Sequence, residues 1–305
     1  MMLIVGTVPI KGMPLTTGQV TATGDFIVVD GKIIPCTQGT GAMISAALAC
    51  TCYLGIDAPH ALLVGDIGEG KGSHELYRHL IDHIAKLLPP VTGLYPNVLA
   101  LHYWLPNMSQ TRQLCTAIDN CEVRPIMIAD AASMYSAKAA GLAEAFDIFT
   151  PDATEIAFLA DPEATHPAYI ARHLFETDIS RAPELAQMAY KNHGAARLLL
   201  VKGSADYVIK DGQVLATITE PNIPALEPIG GTGDTITGLV SAFTYAGMEP
   251  HEAAIIAARA NRMAGKYAQV TPATKVSQVI AQLPFVFKDY LCQWSGVCYT
   301  EEEIQ

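Results

Sequence analysis

Short aliphatic runs alternate along this chain with longer stretches whose apolar positions recur every three or four residues. The runs Phe26 to Val29, Ala61 to Val64, Val98 to Leu101, Pro125 to Ala129, Ile148 to Phe149, Arg197 to Val201 and Tyr207 to Ile209 read as strands. Most are apolar throughout, as strands buried on both faces of a parallel sheet are. Helical periodicity marks Gly41 to Leu54, Ser73 to Leu88, Ser109 to Asn120, Ser136 to Ala145, Thr154 to Leu159, Ala182 to His193, Asp234 to Ala246 and Pro250 to Val270. Pro250 opens the last of these, where its missing N–H costs nothing, and Ala253, Ala254, Ala257, Ala258 and Met263 gather on one side. Alternating strands and helices predict an α/β fold with a mostly parallel sheet. No repeat, low-complexity stretch or long linker interrupts the pattern. One domain over residues 1–305 is expected, with 270–305 left open as an extension of it.

Composition narrows the function. Of 305 residues 50% are hydrophobic, which excludes a disordered chain, and 30 acidic against 19 basic side chains give a net charge of −11. That excess repels a phosphate backbone, so no nucleic-acid partner is expected. The longest apolar stretch, Ala42 to Ile56, is broken by Ser45, Thr51 and Gly55 and falls short of the roughly 20 residues a membrane span needs. The N-terminal run from Met1 to Gly12 lacks the basic start and cleavage site of a leader. A cytoplasmic protein without a membrane partner is expected; assembly into a homo-oligomer stays open. The seven cysteines, an odd number, do not read as a disulfide framework, and Cys50-Thr51-Cys52 is too tightly spaced for half a zinc site. Buried thiols serving as small apolar side chains are expected instead.

Chemistry should lie in the loops where glycine and proline concentrate between a strand and a helix, because ligands of open α/β sheets bind beyond the carboxyl ends of the strands. Two loops qualify, Pro59 to Gly72 and Glu220 to Gly233. The second ends in Gly230-Gly231-Thr232-Gly233-Asp234, directly before a helix. Backbone amides there, unshielded by Cβ atoms, form a ready anion site. Asp234 falls in the first turn, where it either caps the helix or faces whatever the loop holds.

Gly231-Thr232-Gly233-Asp234 resembles the anion-hole motif of the ribokinase-like superfamily, and the threonine form followed by Gly238 is most similar to the nucleotide-dependent NAD(P)H-hydrate dehydratases. Three further segments fall in that family's order: Pro125 to Ala132 with Asp130, Ile148 to Glu155 with Thr150-Pro151, and Leu199 to Ile209 with Lys202-Gly203. The resemblance covers roughly residues 120 to 270. It implies a ribokinase-like three-layer sandwich, a mostly parallel central sheet flanked by helices. It also implies ATP or ADP with Mg2+, and a small-molecule substrate, either hydrated NADH or NADPH or a small alcohol. Gly231, Thr232 and Gly233 would neutralise the transferring phosphoryl group, with Asp234 as catalytic base. Glu155, Lys202 and Gly203 would stand near the nucleotide, Glu155 holding magnesium through water. Gly39, Gly41, Gly68 and Asp130 would lie on the substrate side. The dehydratases carry histidine-proline-glycine where this chain has Asp152, Ala153 and Thr154, and the first 60 residues match no dehydratase pattern. The first departure leans toward the superfamily's kinases for sugars, vitamins and other small alcohols.

Gly65-Asp66-Ile67-Gly68-Glu69-Gly70-Lys71-Gly72-Ser73 nearly spells a Walker A loop, but Gly72 stands where a hydroxyl must reach magnesium. A glycine-rich turn lining the substrate side, or a plain turn capped by Ser73, is expected. Thr37 to Ala42 is a similar turn, with Thr40 as candidate cap. His74, His79 and His83 share one helix without zincin spacing and read as a solvated face. His166 and His193 sit in polar loops. We therefore expect phosphoryl transfer to a substrate hydroxyl, a step shared by dehydratase and kinase.

Overall fold

The run read above only for a leader, Met2–Val8 (β1), is the interior strand on which the sheet is built. The computed structural model describes residues 1–91, 93, 95–165 and 178–296. The further strands are β2 (Thr16–Gln19), β3 (Thr21–Thr23), β4 (Phe26–Val29), β5 (Lys32–Pro35), β6 (His60–Gly65), β7 (Val98–His102), β8 (Ile126–Ala129), β9 (Ile148–Phe149), β10 (Leu198–Val201), β11 (Asp206–Lys210) and β12 (Gln213–Ile218). Nine of them form one sheet in the order β12-β11-β10-β9-β8-β7-β1-β6-β2. Neighbours from β10 to β6 run parallel, while β11, β12 and β2 add antiparallel margins.

Side chains along β1 alternate between two cores, Met2 and Ile4 on one face and Leu3 and Val5 on the other. The first face is covered by α1 (Gly39–Leu54), α7 (Thr232–Tyr245), α8 (Pro250–Tyr267), α9 (Val276–Ile280) and α10 (Leu283–Ser295). The second is covered by α2 (Lys71–Leu87), α3 (Met108–Asp119), α4 (Ala132–Ala139), α5 (Ala153–Ala160) and α6 (Ala182–Lys191). The result is an α/β sandwich of three layers, with the mostly parallel sheet that the alternating pattern predicts and the layering that the resemblance implies.

Helix α1 is apolar nearly all round because it is wrapped by β1, α7 and a small antiparallel sheet, β3-β4-β5. At Gly238 a Cβ atom would lie 2.1 Å from the Met43 carbonyl oxygen, so only glycine lets α7 approach α1 this closely. That contact seats the N-termini of both helices over the same strand ends.

Several expectations are corrected. Phe26 to Val29 belongs to the small sheet, and Tyr207 to Ile209 pairs antiparallel with β10. The helix expected over Ser136 to Ala145 starts earlier and breaks at Gly141, whose φ of 73° ends it before a short 3-10 turn. Residues 276–295, unassigned by periodicity, form two helices, and Phe287 of α10 packs its ring against Tyr53 and Phe243. Cys36, Cys50 and Cys115 are buried free thiols, but Cys52 is exposed and Cys292 is disulfide-bonded, which the expectation of apolar thiols did not foresee. Cys298 and His166 lie outside the described residues. None of the helices among the described residues is long and apolar enough to cross a membrane.

Candidate active site

From β1 the chain passes to β6 on one side and later to β7 on the other, so the strand order reverses there and opens a crevice beyond the carboxyl ends. The polar residues that close the apolar strands all arrive at this edge. Thr7 is next to last in β1, His102 ends β7, Asp130 follows β8, Thr150 follows β9 and Lys202 follows β10. Helices α1 and α7 point their N-termini at the same place. Gly39 (φ 61°) starts α1 and Gly231 (φ 98°) precedes α7, both in the left-handed region that favours glycine.

Asp234, in the first turn of α7, accepts hydrogen bonds from two directions. The Gly39 amide donates to Oδ2 at 2.6 Å, and His102 Nε2 lies 3.0 Å from Oδ1. Burial pushes this carboxyl up, yet the bond and charge of His102, the Lys202 ammonium and the Gly39 amide outweigh it and hold Asp234 below the ordinary carboxylate value. An ionised carboxylate has about four lone-pair positions. Asp234 therefore keeps acceptor capacity for a substrate hydroxyl.

Behind it lies a buried pair. Lys202 Nζ donates to both oxygens of Asp130, at 2.9 and 2.8 Å, and Thr237 Oγ1 donates to Asp130 at 2.5 Å. Burial alone would lower the Lys202 ammonium, but Asp130, Glu155 and Asp234 raise it, so it stays charged. Glu155 closes a capping box on α5, accepting from the Asp152 amide at 2.8 Å and from the Tyr135 hydroxyl at 2.9 Å. Burial first, then the charges of Asp152 and Asp130, push it up to about 8.

Two clefts meet at Asp234. The larger, about 640 Å³, is lined by Lys202, Gly203, Glu155, Thr232, Gly233 and Asn261 among others, with Ile223, Pro224 and Leu226 as an apolar wall. The smaller, about 350 Å³, is lined by Thr7, Gln38, Gly39, Asp66, Gly231 and neighbours. Asp234 and Tyr103 line both.

Of the residues singled out by sequence, Gly231, Thr232, Gly233, Asp234, Glu155, Lys202, Gly203, Gly39 and Asp130 come together at these clefts. Asp130 faces the larger cleft and not the smaller. Gly41 and Gly68 are placed elsewhere. A Cβ on Gly41 would sit 2.4 Å from the Pro35 carbonyl oxygen, so that glycine serves helix packing, and the Gly68 amide donates to Asp66 at 3.0 Å. Neither expected cap forms. Gln38 precedes α1 and Gly70 precedes α2, both without side-chain caps. Thr40 instead donates to the Thr7 carbonyl oxygen at 2.8 Å, and Ser73 to Asp66 at 3.0 Å. Lys71 is 88% exposed and pairs with Glu69, away from both clefts. His79 and His83 stack on the exposed face of α2 as expected, and His193 pairs with Glu144 at the surface.

His102 escaped the sequence reading. The apolar run stops at Leu101, and a polar residue closing an apolar parallel strand is the same signal that marks Asp130 and Lys202.

The donor set suits a nucleotide better than a bare ion. The Gly233 and Asp234 amides have no protein acceptor among the described residues, as a phosphate site at a helix N-terminus requires. His102, Asp130 and Asp234 lie close enough to share a metal, but the Lys202 ammonium donates to both Asp130 oxygens, so a fixed positive charge already stands at that cluster. Glu155 retains free lone pairs beside the cleft, and a cation there would favour its charged form.

A sequence model described as NAD(P)H-hydrate dehydratase matches residues 98–283. An uncharacterized protein of Methanocaldococcus jannaschii is 34% identical over 249 residues, 82% of this chain and 100% of that one. The Bifunctional NAD(P)H-hydrate repair enzyme Nnr of Pyrobaculum aerophilum is 39% identical over 109 residues, 34% of this chain and 21% of that enzyme. In structure, the ADP/ATP-dependent NAD(P)H-hydrate dehydratase of Bacillus subtilis, co-crystallized with ATP/Mg2+, superposes with a TM-score of 0.52 at 13% identity, covering 94% of this chain and 89% of that one. That likeness speaks for the fold alone. The chain belongs to the NAD(P)H-hydrate dehydratase family.

Proposed function

We propose that this member of the family uses ATP or ADP with Mg2+ to phosphorylate the hydroxyl of hydrated NADH or NADPH and then expel it, restoring the reduced cofactor in the cytoplasm. One observation carries the proposal: Asp234 and the glycine turn stand at the boundary shared by two clefts, where a donor in one can meet a hydroxyl in the other.

In this scheme the terminal phosphates rest against the turn Gly231-Thr232-Gly233, on the open amides of Gly233 and Asp234, with the charged Lys202 behind them. Magnesium, held through water beside Glu155, would neutralise charge on the phosphates. Asp234 takes the proton of the substrate hydroxyl as its oxygen bonds to phosphorus and the bond to the nucleotide's bridging oxygen breaks. The carbon–oxygen bond of the new ester then breaks, phosphate leaves, and loss of a ring proton restores the double bond. Phosphoryl transfer of this kind needs positioning and fixed donors more than covalent help.

A kinase for a small alcohol is the second reading, and the smaller cleft favours it. Its lining holds the carboxylates Asp66 and Asp234 but no lysine, arginine or histidine, so it offers nothing to a dinucleotide's pyrophosphate. Purified protein, magnesium and ATP or ADP should restore the absorbance of reduced nicotinamide from the hydrate. No recovery with either nucleotide, together with phosphate transfer to an alcohol from a panel, would replace the dehydratase by the kinase.

A further inference from the structure

His102 is the buried group that the transfer scheme leaves unused. Its side chain is 0% exposed at the end of β7, yet both ring nitrogens are engaged. Nε2 lies 3.0 Å from Asp234 Oδ1, and Nδ1 lies 3.0 Å from Thr40 Oγ1. Thr40 in turn donates to the Thr7 carbonyl oxygen at 2.8 Å, while the Gly39 amide beside it returns to Asp234. The bonds close a circuit through β1, α1, β7 and α7. Two donors from different elements fix the Asp234 carboxylate against rotation, and Thr40 fixes the ring that supplies one of them.

The backbone is shaped to admit this circuit. A Cβ on Gly6 of β1 would lie 2.5 Å from the His102 carbonyl oxygen and 2.8 Å from Thr40 Cγ2. Tyr103, next to His102, takes φ 50°, a costly conformation for a bulky residue, and its carbonyl oxygen accepts from the Thr7 hydroxyl. Strain held by bonds at one strand end is what a positioned site requires.

We propose that His102, oriented by Thr40, is a positioning residue for Asp234: its Nε2–H holds Oδ1 so that the remaining lone pairs of the carboxylate face the two clefts. This rests on Asp234 as the base of the proposed transfer. The other ionisable groups facing Asp234 are Lys202 and Asp130 from the strand ends beyond it, Asp130 lying 3.7 Å from His102 Nε2, and the Tyr103 phenol from the cleft mouth.

The test compares His102→Leu, which removes both bonds, with His102→Gln, which keeps a donor within reach of Asp234. The Asp234 carboxyl carbon is titrated by NMR, assigned against Asp234→Asn, and kcat and KM are measured across pH. His102→Leu should raise the Asp234 midpoint by about one pH unit and lower kcat by roughly 10-fold or more, with KM within about 3-fold. His102→Gln should recover most of both. An unmoved midpoint in His102→Leu, or equal loss in the two variants, overturns the proposal. Should the leucine variant not fold, Thr40→Val, which unties only Nδ1, carries the test; a midpoint and kcat equal to the parent's would overturn it. The titration needs no substrate, so it decides the role of His102 even if the parent turns over neither hydrate nor alcohol.

Discussion

The two glycine loops of this chain look alike in sequence and differ in what fills them. In the loop from Gly65 to Ser73 the anion is built in. Asp66 accepts from the amides of Gly68, Gly70 and Ser73 and from the Ser73 hydroxyl, at 2.9 to 3.0 Å. Four donors saturate its carboxylate, so the nest has nothing left for a phosphate. Before α7 the order is reversed. The Asp234 carboxylate points away to Gly39 and His102, and the amides of Gly233 and Asp234 stay open at the larger cleft. Glycines before a helix thus create the capacity for an anion, and the direction taken by one aspartate decides whether the protein fills it.

The largest effect expected from breaking this contrast is at Asp234. Asp234→Asn should leave nucleotide affinity within a few-fold, because the amides are untouched, and lower turnover by about 100-fold or more, the scale of a lost general base. Equal turnover in mutant and parent would remove Asp234 from the chemistry. Next comes the turn itself. A Cβ at Gly233 would meet the Lys202 side chain, the nearest atom 3.7 Å away, so valine fits without a backbone clash but intrudes on the position proposed for the phosphates. Gly233→Val should weaken nucleotide binding by at least about 10-fold in calorimetric titration. Lys71→Ala, at the exposed end of the other loop, should leave it unchanged. The reverse pattern would assign the phosphates to the first loop.

The loops should also carry opposite pH signatures. Glu155, beside the open turn, is pushed up to about 8 mainly by burial, so its contribution to stability is present in acid and is lost as pH rises toward that value. Asp66 is raised by burial but lowered further by its donors, so it contributes above the ordinary carboxylate value and loses that as pH falls through its depressed one. Glu155→Gln should flatten the decline of Tm between about pH 5 and 8, and Asp66→Asn should flatten the acid limb. No change in either limb would contradict the assigned directions.

How much of this was legible follows from the same physics. The alternation of apolar runs and helical periods exposed the layers, and the run from Gly231 to Asp234 stood out because glycines before a helix have few structural reasons to cluster. Asp130 and Lys202 could be singled out one by one, but their pairing joins positions 72 apart and appears only once β8 and β10 are placed. The circuit through Gly6, Thr7, Thr40 and His102 left no such mark. Each is a single residue, and each owes its role to partners on other elements. Strand β1 itself was hidden because an apolar N-terminal run was weighed only as a leader. The family model begins at residue 98 and so leaves the same N-terminal part, which supplies more than half of the smaller cleft's lining, without a pattern.

The smallest expected effect is the most direct test of what fills the first loop. Asp66→Ala strips the amides of Gly68, Gly70 and Ser73 of their acceptor at a partly exposed position, where water can replace most of what is lost. A destabilisation of about 1 kcal/mol, at the low end for an unsatisfied group, should lower Tm by roughly 2 °C. The emptied nest should then behave like the turn before α7 and take an anion from solution. Inorganic phosphate should therefore raise the Tm of Asp66→Ala more than that of the parent, and Asp66→Asn, which keeps one carbonyl acceptor, should respond less. If phosphate stabilises parent and Asp66→Ala alike, the first loop is not an anion nest held shut by its own carboxylate, and the contrast between the two loops rests on glycine spacing alone.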